Sequence, residues 1–173
     1  MSTIGIVVGN PKARSRTLEV AEAVAAAAAG AAGLVDAERV VVDLADVGPL
    51  LFDWSSARVK DAVEGIAACP LVIVASPTYK ASYTGLLKSF LDWYGTTGLQ
   101  GVTVIPVMVG AGPHHALAVE VHLRPVLVEI GATLPTRGLY VTEAQLAELE
   151  DVIATWLVEA GPLLRAALGA NRL

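Results

Sequence analysis

Five consecutive apolar residues, Leu71-Val72-Ile73-Val74-Ala75, follow Pro70 and run directly into Ser76-Pro77. A strand that is apolar on both faces must be buried on both, as in a parallel sheet sandwiched between helices. Thr3–Val8 and Val102–Val109 repeat the pattern, although Pro106 interrupts the second and removes a ladder donor. Arg39–Leu44 alternates more weakly, and Gly131–Pro135 with Gly138–Val141 reads as an irregular fifth strand. Helical patterns separate these runs: an alanine-rich stretch after Thr17, then Val59, Val63 and Ile66, then Leu86, Leu87, Phe90 and Leu91 in a segment from Gly85 to Tyr94. Thr142 with Gln145 predicts a capping box for a last helix that turns Leu146, Leu149, Ile153, Trp156 and Leu157 toward the sheet. Strands alternating with helices predict a doubly wound α/β fold, and the length suits one domain over 1–173.

In such a sheet, ligands settle outside the carboxyl ends of the strands. The loop Ser76 to Thr84 leaves the most apolar strand there. Pro77 fixes part of its backbone, and Thr78, Tyr79, Lys80, Ser82, Tyr83 and Thr84 supply hydroxyls, flat rings and a positive charge. The first strand runs into Gly-Asn-Pro-Lys-Ala-Arg-Ser-Arg-Thr, residues 9–17, with a helix opening at about Thr17 and Ser15 or Thr17 as its cap. Unpaired N–H groups and the helix dipole make such a terminus an anion site, to which Arg14 and Arg16 add charge-assisted hydrogen bonds. The stretch reads as a phosphate loop, although it matches neither GxxxxGK[ST] nor GxGxxG. The competing reading is a capped helix with solvated arginines. After the fourth strand, Gly110-Ala111-Gly112 lets the backbone approach a flat ligand closely.

Composition narrows the function classes. A net charge of −5 argues against general nucleic-acid binding. The single cysteine, Cys69, excludes an internal disulfide and a multi-cysteine metal cluster. His114 and His115 are adjacent, so on a helix they point about 100° apart, and no metal site is expected. No apolar run reads as both long and clean enough to span a bilayer, and the start reads as a strand rather than a signal peptide. A cytoplasmic protein is the expectation. The loop Ala45–Ser56, with Leu50, Leu51, Phe52 and Trp54, either folds over the core or meets a partner. Lys12, Arg14, Arg16, Lys80, Lys88 and Arg124 all fall within or near segments expected to touch a ligand or partner.

The three loops, in this order and spacing, resemble those of the NAD(P)H-dependent FMN reductases, most closely the reductase components of two-component alkanesulfonate monooxygenases. The resemblance spans roughly Ile4 to Val141. It implies a flavodoxin-like sheet of order 2-1-3-4-5 and hydride transfer from NADPH or NADH to flavin N5, with no catalytic side chain. It places Asn10, Ser15, Arg16 and Thr17 on the FMN phosphate, Asn10 standing where serine is more usual. It places Pro77, Thr78, Tyr79, Lys80, Ser82 and Thr84 on the ring and ribityl chain, and Gly110, Ala111 and Gly112 at the ring's far edge. Arg14 or Lys80 meets a dinucleotide phosphate. The implied assembly is a homodimer or homotetramer serving a flavin-dependent monooxygenase. Glu120–Arg124 resembles the helix used in tetramer assembly, and Val121, next to His122, occupies the place of an aromatic insertion that widens it in some members. An FMN-retaining quinone or azo-dye reductase and a flavodoxin-like electron carrier are the rival readings.

Overall fold

The structure, a computed structural model, describes residues 3–170. β1 (Thr3–Val8), β2 (Glu38–Asp43), β3 (Leu71–Pro77), β4 (Thr103–Gly110) and β5 (Leu139–Thr142) form a parallel sheet in the order β2-β1-β3-β4-β5. That is the flavodoxin-like order, and its reversal between β1 and β3 creates the crevice in which such folds bind ligands. Every residue of β3 and β4 is buried, as the unbroken apolar runs require. One sheet face is covered by α1 (Arg16–Ala32) and α5 (Leu149–Ala170), the other by α2 (Ala57–Ala67), α3 (Gly85–Leu91) and α4 (Arg124–Glu129). Alternate strand residues divide accordingly. Ile6, Ile73 and Ile105 pack with Val20 and Val24 of α1 and Leu164 of α5; Val7, Val72 and Val104 belong to the cluster containing Phe90 and Leu127.

Several boundaries differ from those read off the sequence, each for a local reason. Ser76 and Pro77 continue β3, paired with Met108 and Val109, so the loop proper begins at Thr78. Pro106 does not interrupt β4. The Val104 amide bonds Thr133 O on the β5 side, and the position two residues on faces the same way. β5 starts pairing only at Val107, so the missing proline N–H costs no ladder bond. The stretch Gly131–Pro135 contributes only an isolated bridge, Thr103 to Thr133. The helix expected to reach Tyr94 ends at Leu91, where the amides of Trp93 and Tyr94 turn to the tighter i−3 pattern. Their side chains are fixed instead by Trp93 Nε1 to Leu51 O (3.0 Å) and Tyr94 Oη to Val63 O (3.1 Å).

The segment Val119–Leu123 is a π-helical turn leading into α4, with the Arg124 amide bonded to Val119 O. Pro125 has no N–H to give to the carbonyl four residues back, and its ring crowds that carbonyl, which favours a widened turn. The turn thus forms with valine at 121. Arg124 and Glu120 pair at 2.6 Å, and both tie the turn to the chain leading into β5: Arg124 reaches Leu134 O and Thr136 O, and Glu120 accepts from the Gly138 amide. Arg124 is therefore a structural strut rather than a free contact residue. Lys88 likewise pairs with Asp92.

The Thr142–Gln145 capping box is present, but it opens a 3₁₀ turn, Glu143–Glu148, before α5 begins. By length and composition alone, the continuous helical stretch Glu143–Gly169 is apolar enough to cross a bilayer, contrary to the expectation that no run would qualify. In this fold Ile153, Ala160, Leu164 and Leu168 turn inward, and Arg165 Nη1 bonds Ala31 O at the end of α1.

Candidate functional site

The carboxyl ends of β1, β3 and β4 deliver three loops to one cavity of about 650 Å³, within the usual range for a small-molecule site. Asn10, Arg14, Ser15, Arg16 and Thr17 line it from the first loop, and Pro77, Thr78 and Tyr79 from the second. Gly110 and Ala111 come from the third. Lys80, Ser82, Thr84 and Gly112 do not face the cavity; they shape the loops that do.

The first loop is built to present an anion site. Ser15 caps α1, its Oγ accepting from the Leu18 amide, which leaves the amides of Arg16 and Thr17 without intrahelical acceptors. Asn10 braces the loop from within, its Nδ2 donating to Thr17 Oγ1 (3.0 Å) and its Oδ1 accepting from the Lys12 amide (2.9 Å). Arg14 adopts a left-handed φ of 50°, and its amide donates to Asp43 Oδ2 at the end of β2 (3.0 Å). The local charge is mixed. Lys12, Arg14 and Arg16 face two carboxylates, Glu19 and Glu143, and Glu143 Oε1 lies 2.9 Å from Arg16 Nη2.

The second loop turns back on itself. The Tyr79 amide bonds Ser82 O (2.8 Å) and the Ser82 amide bonds Tyr79 O (3.1 Å), with Lys80 and Ala81 at φ 51° and 65° between them. Two successive positive φ values define the primed turn that hairpins favour, normally built from Asn-Gly. A left-handed alanine costs about 1–2 kcal/mol. Ala81→Gly is therefore expected to raise stability by about 0.5–1 kcal/mol after the entropy of the glycine chain is deducted. A urea unfolding midpoint equal to or below that of the parent would count against stored strain here. Ser76 and Thr84 close the loop: Ser76 Oγ accepts from the Thr84 amide (3.0 Å), and Thr84 Oγ1 caps α3 through the Leu87 amide (3.1 Å) while donating to Gly9 O (2.5 Å). One threonine thus fastens the second loop to the first.

The third loop is held from behind by Tyr140, whose hydroxyl donates to Gly112 O (2.9 Å). A Cβ at Gly110 would collide with that hydroxyl. Thr78 Oγ1, at the cavity wall, is buried with no hydrogen-bond partner, an orphan that a polar ligand atom would satisfy. Tyr79, half exposed beside it, offers a flat ring. Cys69 lies apart under α2, donating to Gly65 O (3.3 Å), and burial pushes its thiol up, away from nucleophilic use. The donor set fits a flavin mononucleotide: an anion cradle at one end, backbone and small residues along a slot, and an unpaired hydroxyl within it. Sequence reasoning missed Glu143 and Glu19. Glu143 directly follows β5, so the carboxyl-end rule, applied to the fifth strand as well, points to it.

A family model described as NADPH-dependent FMN reductase matches residues 2–146. The FMN reductase (NADPH) of Escherichia coli (strain K12) is 35% identical over 95 residues, which cover 55% of this chain and 50% of that protein. The NADH-dependent FMN reductase SfnF of Pseudomonas fluorescens (strain Pf0-1) is 31% identical over 141 residues, covering 79% and 74%. The chain spans about half the length of the first of these relatives. Among solved structures, the apo form of an NADH:FMN oxidoreductase (EMOB) superimposes with a TM-score of 0.80 at 31% identity, covering 99% of this chain and 89% of the other. With the match running from the first strand through the capping box that follows the last, the chain belongs to the NADPH-dependent FMN reductase family.

Proposed function

We propose that this protein is an NAD(P)H-dependent FMN reductase that passes reduced FMN to a partner flavin-dependent monooxygenase. The observation that carries the reading is the single cavity joining the capped end of α1 to the slot between Thr78-Tyr79 and Gly110-Ala111. When bound, FMN supplies the two-electron chemistry, accepting hydride from reduced nicotinamide. The chain's own part is to hold and orient. Ser15, Arg16 and Thr17 hold the phosphate with Asn10 bracing them, and Arg14 adds charge at the rim. Pro77, Thr78 and Tyr79 flank the ring, with Gly110 and Ala111 at its far edge and Gly112 anchoring their loop through Tyr140. Lys80, Ser82 and Thr84 support the site from the turn and its base. No proton-transferring side chain is required.

The whole chain works as one FMN-binding domain in the cytoplasm, assembled as a homodimer or homotetramer. Exposed Leu117, Val121 and Val128 along the π-turn helix, and Phe52 with Trp54 beside Trp93, are the faces that support self-association. Within the loop Ala45–Ser56, Leu51 is buried whereas Phe52 and Trp54 remain outside, so that loop serves core and surface together.

The test is anaerobic oxidation of NADH and of NADPH by the purified protein, with a large excess of free FMN. Stoichiometric bleaching of the free FMN is expected. Tight FMN binding without turnover would overturn the reductase reading in favour of an electron carrier, and turnover confined to retained flavin would favour a quinone or azo-dye reductase.

A further inference from the structure

Arg16, one of the two guanidinium groups that line the cavity, is already engaged. Its Nη2 lies 2.9 Å from Oε1 of Glu143, a residue 127 positions away whose carboxylate lines the same cavity. The pairing is not a chance meeting of two mobile side chains on open surface. Arg16 is the first residue of α1, behind the Ser15 cap, and Glu143 is the first residue of its turn, behind the Thr142 cap and inside the Thr142–Gln145 box. Two capped turns thus fix both backbones so that their side chains meet across the mouth of the anion site. Glu19, in the first turn of α1, adds a second carboxylate. A cavity whose purpose was to retain a phosphate dianion as tightly as possible would not contain these groups, because like charges brought together weaken binding.

Both side chains of the pair remain about half exposed, with relative exposures of 60% and 47%. An ion pair so exposed is worth little, so breaking it is cheap. On the reading of the protein as an FMN reductase, we infer that Glu143 competes with the flavin phosphate for Arg16. Binding exchanges a carboxylate–guanidinium pair for a phosphate–guanidinium pair, and the displaced carboxylate remains nearby as a repulsive neighbour. Glu143 thereby sets flavin affinity low enough for FMN to leave as a product. Without the phosphate there is no such exchange, so the effect is specific to FMN and absent for riboflavin.

Dissociation constants for FMN and riboflavin, measured by flavin fluorescence at low and high salt, test this in the parent, Glu143→Gln, Arg16→Gln and the double variant. Glu143→Gln is expected to tighten FMN binding by about three- to tenfold at low salt, less at high salt, with riboflavin unchanged. Arg16→Gln weakens FMN, and in that background Glu143→Gln gives a clearly smaller gain, because the competed group is gone. Equal shifts for FMN and riboflavin mean a structural role and overturn the inference. So does an undiminished gain without Arg16, which means plain repulsion, and so does unchanged FMN affinity in Glu143→Gln. The last three results leave the reductase reading standing; a parent protein that binds neither flavin overturns both.

Discussion

Gly9→Ala is expected to unfold about 6–12 °C below the parent protein, a larger loss than one added methyl group ordinarily causes. The reason is where the methyl group lands. A Cβ at position 9 would sit 2.6 Å from Leu87 Cβ and 3.2 Å from Thr84 Oγ1. Leu87 Cβ is attached to the backbone of α3 and cannot swing aside as a side-chain tip can, so the helix itself must move. Leu87 is fully buried among the residues of its sheet face, and displacing it disturbs Phe90 and Leu91 on the same short helix. Overpacking of this kind costs about 1–3 kcal/mol. Stretching the Thr84–Gly9 hydrogen bond adds about 1 kcal/mol more. Thermal unfolding followed by far-ultraviolet circular dichroism reads the effect directly. A midpoint within 2 °C of the parent, as an order-of-magnitude bound on surface-like substitutions, would show that α3 accommodates the methyl group and that the close approach has no energetic consequence.

Much of the fold is legible in the chain because its strongest signals are local and apolar. The unbroken runs at Thr3–Val8 and Leu71–Ala75 mark central strands, and the strand order follows once the loops are matched to a family. Boundaries are less legible where a long-range partner decides them. Whether Pro106 breaks β4 depends on where β5 begins to pair, and that is set by residues thirty positions later. The capping box at Thr142 is visible, yet the 3₁₀ turn it opens is not, since both start with the same pattern.

The site divides in the same way. Asn10, Ser15, Thr17, Thr78 and Gly110 reach the cavity because each sits at or within two positions of a strand's carboxyl end or in the capped first turn of a helix, places that sequence patterns locate well. Lys80 and Ser82 belong to the same loop but fold into its turn, because backbone pairing between Tyr79 and Ser82 carries the tip away from the cavity wall. The position of Glu143 after β5 is legible, but its pairing with Arg16 is not, because that relation exists only once β5 is placed at the sheet edge.

Thr84 makes the strongest claim on the joint between the two ligand loops, and Thr84→Val is expected to cost about 3 kcal/mol. Valine matches the shape, so the loss falls on the hydroxyl. That hydroxyl caps α3 by accepting from the Leu87 amide and holds the first loop by donating to Gly9 O, all within a residue only 4% exposed. Losing the cap on the Leu87 amide costs about 1 kcal/mol, and leaving the Gly9 carbonyl unpaired costs about 1–3 kcal/mol more. Thr84→Ser retains both hydrogen bonds and removes one methyl group, so its expected cost is about 1 kcal/mol. The ordering Val worse than Ser separates hydrogen bonding from packing, because a purely packing role would reverse it. A double variant with Gly9→Ala supplies the decisive comparison. Both changes break the same Thr84–Gly9 contact, so their combined cost should fall short of the sum by about 1 kcal/mol in urea unfolding. Strict additivity would mean that the contact contributes nothing, and the two loops would then be held in register by the sheet alone.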